Sequence, residues 1–190
     1  MSKKPQMRGS SNEVESPTEE TYVNNKISLD ELIKVVSLID YPLNLLPQSQ
    51  NMGGRAKYRF EKFGETKPII YQDILQIIEQ YRSFMQKGMF MILDQRVIDR
   101  HGLHEIQSRV LSKEQLEKII EGSKDAVEIF KSSNKEQQEV IVGMITRRLV
   151  NDPKSVDLNI VDEISRLTKI NIQQNAEESR ELFTQKEAVE

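Results

Sequence analysis

From residue 111 onward, apolar residues recur at helical spacing, and each run opens on a capping signal. Ser112 with Gln115 makes a capping-box pattern, and Leu111 stands where it can staple onto Leu116. Ser123 restarts the chain after Gly122. Asn134 with Gln137 opens a long run through Val140, Ile141, Met144, Ile145, Leu149 and Val150, which Pro153 follows. Asp157 caps 158–167, with Val156 stapling to Val161. Over 173–190 the apolar positions thin to Ala176, Leu182 and Phe183, which predicts a fraying tail.

The middle, 55–103, changes period. In Arg55-Ala-Lys-Tyr-Arg-Phe-Glu-Lys-Phe63, Tyr58 and Phe60 fall on one face of a strand, with Lys57 and Arg59 on the other. Gly64-Glu65 reads as a hairpin turn into Lys67-Pro-Ile-Ile-Tyr71, with Pro68 at a strand start or edge. Ile74, Ile77, Ile78, Tyr81 and Met85 predict a helix over 72–87, ended by Gly88. Met89-Phe-Met-Ile-Leu93 is an apolar run suited to a buried strand that joins the hairpin. Residues 97–102 add a helical turn closing at Gly102.

Ahead of the middle, Ile27-Ser-Leu-Asp-Glu-Leu32 carries a capping-box pattern, and Leu32, Val35, Val36 and Ile39 share one helical face. The spacing predicts a short helix to about Asp40, ended by Pro42. Tyr41-Pro-Leu-Asn-Leu-Leu-Pro47 then reads as an apolar segment laid against another surface, and Asn51-Met-Gly-Gly54 as a flexible joint. Residues 1–25 are too polar to offset the entropy of ordering and read as a disordered arm.

The expected fold is mostly helical α+β: a small antiparallel sheet with a packed helix, followed by a C-terminal helical region. The expected division is a disordered arm over 1–25 and a short helix with a Pro-rich linker over 26–54. A small α+β unit over 55–110 follows, then a helical region over 111–172 and a frayed tail over 173–190.

Composition narrows the chemistry. The 190 residues contain no Cys, which removes disulfides, zinc–thiolate sites and thiol nucleophiles together. No apolar run reaches the ~20 residues of a membrane span, and Met1-Ser-Lys-Lys-Pro-Gln lacks the apolar stretch of a secretory signal. A soluble protein of the cytoplasm is therefore expected. The net charge of -3 conceals +3 over 55–110, against -2 over 1–54 and -4 over 111–190.

That imbalance makes Arg55, Lys57, Arg59 and Lys62 candidates for nucleic-acid contact, with Tyr58 or Phe63 stacking on bases. Strand alternation favours the plainer reading, aromatics inward and cations in water. Gly53-Gly54 lacks the spacing of a P-loop. His101 and His104, with Asp99 and Glu105 nearby, lack a specified third ligand and read as surface histidines at a helix end, so no metal is expected. No nucleophile elbow, zinc-protease helix or dinucleotide fingerprint occurs, and neither an enzyme nor a cofactor is expected. Ile141, Met144, Arg147 and Arg148 are the candidate partner-binding residues, the arginines flanking a helix contact and pairing with Asp152 or Glu139.

The stretches Tyr58-Arg-Phe-Glu-Lys-Phe-Gly-Glu65, Ile69-Ile-Tyr71, Arg82-Ser-Phe84 and Gly88-Met-Phe-Met-Ile-Leu-Asp94 resemble a pattern in small uncharacterised bacteriophage proteins. The resemblance covers about 55–103 and transfers no catalytic residue. It implies a setting, a phage accessory or virion-assembly protein in the host cytoplasm or the particle. The sequence thus leads to a non-enzymatic structural or interaction protein that self-associates or binds a protein partner. The alternative is a nucleic-acid-binding adaptor using 55–63.

Overall fold

The computed structural model describes residues 26–47 and 58–187. The arm over 1–25, the Gly53-Gly54 joint, Arg55 and Lys57 lie outside them. The described chain is mostly helical α+β with small antiparallel sheets, as the patterning predicts. Its centre is a strand where the spacing predicts a helix: β1, Leu32–Ser37.

The capping-box residues of that segment do form a turn, with Glu31 N–H donating to Ser28 O at 3.1 Å. The helix does not propagate from it. Ile33, Val35, Val36 and Ile39 are β-branched and suit a pleated surface. Along this segment, Ile33, Val35 and Ile39 belong to one apolar cluster, while Val36 and Leu38 belong to a second. A strand buried on both faces has apolar residues at odd and even positions alike, so it imitates a helical stripe.

After β2 (Leu43–Leu45) and β3 (Tyr58–Phe60) comes β4, Thr66–Ile70. Helices α1 (Tyr71–Gln80) and α2 (Arg82–Gln86) follow, broken from one another at Tyr81, and then β5, Phe90–Ile92. The main sheet runs β4-β1-β5, all antiparallel, while β2 pairs with β3. Gly64, at φ +72°, does turn the chain between β3 and β4, but the two strands enter different sheets rather than a hairpin. β5 likewise pairs with β1.

The remaining helices are α3 (Gln95–Arg100), α4 (His104–Ser108), α5 (Lys113–Ile120), α6 (Ala126–Ser132), α7 (Lys135–Asn151), α8 (Leu158–Thr168) and α9 (Ile172–Glu187). The caps match the sequence. Ser112 and Gln115 form both bonds of a capping box, and Asn134 and Asp157 accept from Gln137 N–H and Asn159 N–H. The tail expected to fray carries helix α9 as far as Glu187, and 188–190 lie outside the described residues. Ile172 and Ala176 are buried in the second cluster, and Arg180 donates to the carbonyls of Leu149 (2.5 Å) and Val150 (3.3 Å) at the end of α7.

The sheet therefore separates two cores. On one face, Ile33, Val35, Ile69, Phe90 and Ile92 pack with Ile74, Ile77 and Met85. On the other, Val36 and Leu38 join Leu116, Ile141, Ile145 and their neighbours from the C-terminal helices. The start of α7 locks the halves together. Asn134 Nδ2 donates to the carbonyls of Gln86 and Arg109, and the buried Gln137 accepts from Leu111 N–H at 2.9 Å.

Candidate functional site

Of the four basic candidates, Arg59 and Lys62 lie among the described residues, and one of the two is paired. Phe60 is buried and Tyr58 half-buried, with Arg59 exposed between them, so the alternation holds. Arg59 pairs with Glu61 at 2.5 Å, and Lys67 pairs with Glu65 while lying over the Phe60 ring. Lys62 is exposed and forms no ion pair among the described residues. Tyr58 is half-buried against the first cluster. Its hydroxyl donates to Asp73 Oδ2 at 2.8 Å, and burial together with that carboxylate pushes the phenol up to about 12.

Ile141 and Met144, at 2% and 1% exposed, are spent within the chain's own core. The arginines beside them do meet another element, though not through Asp152 or Glu139. Arg147 Nε lies 3.6 Å from Asp40 and its guanidinium stacks on the Tyr41 ring at 4.8 Å. Burial pushes the Asp40 carboxyl up, against the opposing pull of Arg147 and Arg148. The cluster ties the end of the β1 segment to α7. It is a strut in which desolvation offsets much of the ionic attraction.

The histidines separate. His104 pairs with Asp99 at the exposed surface, whereas His101 Nε2 lies 2.8 Å from the Tyr71 hydroxyl. Burial, aided by Arg100, holds the His101 imidazole below its usual range. Among the described residues, no three His, Asp or Glu side chains gather as a metal site would need. A half-open cleft of about 470 Å³ lies between α2, α4 and the start of α7. Arg82, Lys87 and Arg109 line it together with Glu105 and Glu136, and Arg109 is already paired with Glu105. Its mixed charge selects no ligand class.

The second face of the main sheet is the most distinctive surface. Strand alternation puts Leu32, Lys34 and Val36 on it, and register adds Ile70, Pro68 and Thr66 from β4 and Met91 from β5. Leu93, whose N–H donates to Lys34 O at 2.9 Å, continues β5 on the same face. At one end, Val36 is 4% exposed and Met91 packs on the helical cluster. At the other end the cover stops. Leu32 is 60% and Leu93 51% exposed, and Lys34 and Pro68 are exposed with them.

An ion triplet rims the open half. Arg96 donates to Glu31 and to Asp94, and its bonds hold the Asp94 carboxyl below the usual carboxylate range. Sequence reasoning missed this surface because it set Leu32 on a helix face and Leu93 inside a buried run. The available signal was Asp94, which caps α3 through Arg96 N–H and so ends the strand beside Leu93.

No helix among the described residues is long and apolar enough to cross a membrane. Comparison with protein-family models, with curated proteins and with solved structures found no match.

Proposed function

We propose that this protein is a non-enzymatic interaction module that binds another protein chain through the open half of its central sheet face. The observation that carries the reading is the pair Leu32 and Leu93, more than half exposed on a face whose other end is core. Single exposed leucines are ordinary, whereas exposed apolar side chains that share one sheet face are the kind of surface a partner covers. A role in a phage particle or its assembly is the setting that the resemblance of 55–103 implies, and it rests on that pattern alone. Of the cations behind the nucleic-acid alternative, Arg59 is paired with Glu61 and Lys62 alone stands exposed and unpaired among the described residues, which is thin support for that reading.

The test is a native pull-down from the source with mass spectrometry, comparing the full chain with Leu32→Ser/Leu93→Ser. Both substitutions are at exposed positions and should change stability by no more than about 0.5 kcal/mol each. The wild-type chain is expected to retain a stoichiometric protein partner that the variant loses. A monodisperse monomer by light scattering at high concentration, with no co-purifying protein, would contradict the proposal.

A further inference from the structure

Lys34 stands at the centre of the open half-face, with Leu32 two residues before it, Pro68 directly opposite on β4 and Leu93 beside it on β5. It forms no ion pair among the described residues. The nearby carboxylates on the rim, Glu31 and Asp94, are both held by Arg96. An apolar surface with one uncompensated cation at its centre complements an apolar surface with one carboxylate.

The mode of docking is narrowed by the sheet edges. Ser37 N–H donates to Glu65 O, so the even residues of β4 point their backbone groups to the outer edge, where Pro68 has no N–H to offer. On the other edge, Gln107 Nε2 donates to Ile92 O at 3.3 Å. Both edges are blunted against an added strand. The occupant must lie on the face, where the chain's own C-terminal helices already cover the Val36 and Met91 end.

A second copy fits poorly. Two-fold pairing of this face would bring Lys34 toward its own counterpart with both rim carboxylates already engaged.

We propose that the occupant is an amphipathic helix of another protein. Its apolar stripe covers Leu32 and Leu93, and a carboxylate within that stripe meets Lys34. This rests on reading the protein as an interaction module. The helix would extend the layer that the C-terminal helices begin, with apolar anchors at i, i+3 or i+4, and i+7.

A displayed library of helix-forming peptides selected against the full chain tests the proposal. Enriched peptides are expected to share an apolar stripe with an embedded Asp or Glu. They should lose about tenfold or more in affinity against Leu32→Ser or Leu93→Ser. Lys34→Glu should invert the preference, so that the same peptides bind better once their acid is changed to Lys. Enrichment without an acidic position, or binding indifferent to Leu32, Leu93 and Lys34, overturns the proposal. So does a failure to enrich any peptide; if the pull-down partner still depends on Leu32 and Leu93, the helix fails while the interaction module stands. Phosphatidylserine vesicles are run in parallel, and vesicle binding that requires the two leucines in place of peptide enrichment assigns the face to a membrane instead.

Discussion

Gly88 shows how a single residue joins the two halves. At φ +66° it occupies the left-handed region, and a β-carbon there would sit 2.5 Å from Gln137 Nε2 and 2.9 Å from Val110. Gly102 has a similar φ of +60° with nothing nearby. Gly102→Ala should therefore lower stability by about 1 kcal/mol, and Gly88→Ala by about 2–4 kcal/mol because overpacking adds to strain. Urea unfolding of the pair measures the difference, and equal losses would deny the close approach.

Tyr58 and His101 provide two pH-dependent tests. Tyr58→Phe removes the hydroxyl that donates to the buried Asp73 carboxylate and should destabilise by about 1–3 kcal/mol. A phenol raised in the folded state contributes stability that is complete below its unfolded value near 10 and disappears as pH rises through about 12. Wild type should show an alkaline loss over that window that Tyr58→Phe lacks. His101 behaves in the opposite sense. Its folded value is depressed, so its contribution is complete above about pH 6.5 and declines as pH falls through the lower folded value. His101→Gln should flatten the stability difference between ~pH 7 and 5, read by thermal melts at each pH.

Among the elements, those specified by local chemistry were legible and those specified by distant partners were not. The caps at Ser112, Asn134 and Asp157 are bonds across two or three residues, and each occurs where the sequence places it. β1 was misread because its apolar residues face two cores, one of them built from residues beyond 110. The pairing of β3 with β2 was equally invisible, since the connection over 46–57 is far longer than the two to five residues by which a hairpin is read. The candidate site suffered the same limit: exposure of Leu32 and Leu93 depends on where the C-terminal helices stop. α9 was missed because few of the residues that pack it on α7 are apolar: Ile172 and Ala176 are buried there, and the polar Arg180 supplies the bonds to the end of α7. Ala176→Leu should cost about 1–3 kcal/mol by overpacking against α7, whereas a frayed tail would tolerate it; thermal unfolding decides.

For the molecule as a whole, β1 belongs to both cores, so the described residues should unfold as one cooperative unit. Ile33→Ala and Ile145→Ala, in different clusters, should each shift one shared midpoint seen alike by tyrosine fluorescence and far-ultraviolet circular dichroism. Two separated transitions would mean the halves are independent. That two-core frame also leaves one half of the sheet face uncovered, the feature on which the functional proposal depends. The most direct test is hydroxyl-radical footprinting of the full chain, alone and in the complex purified from its source. Protection concentrated at Leu32, Pro68 and Leu93 is the predicted result. Unchanged reactivity at those residues, with protection elsewhere, would contradict it.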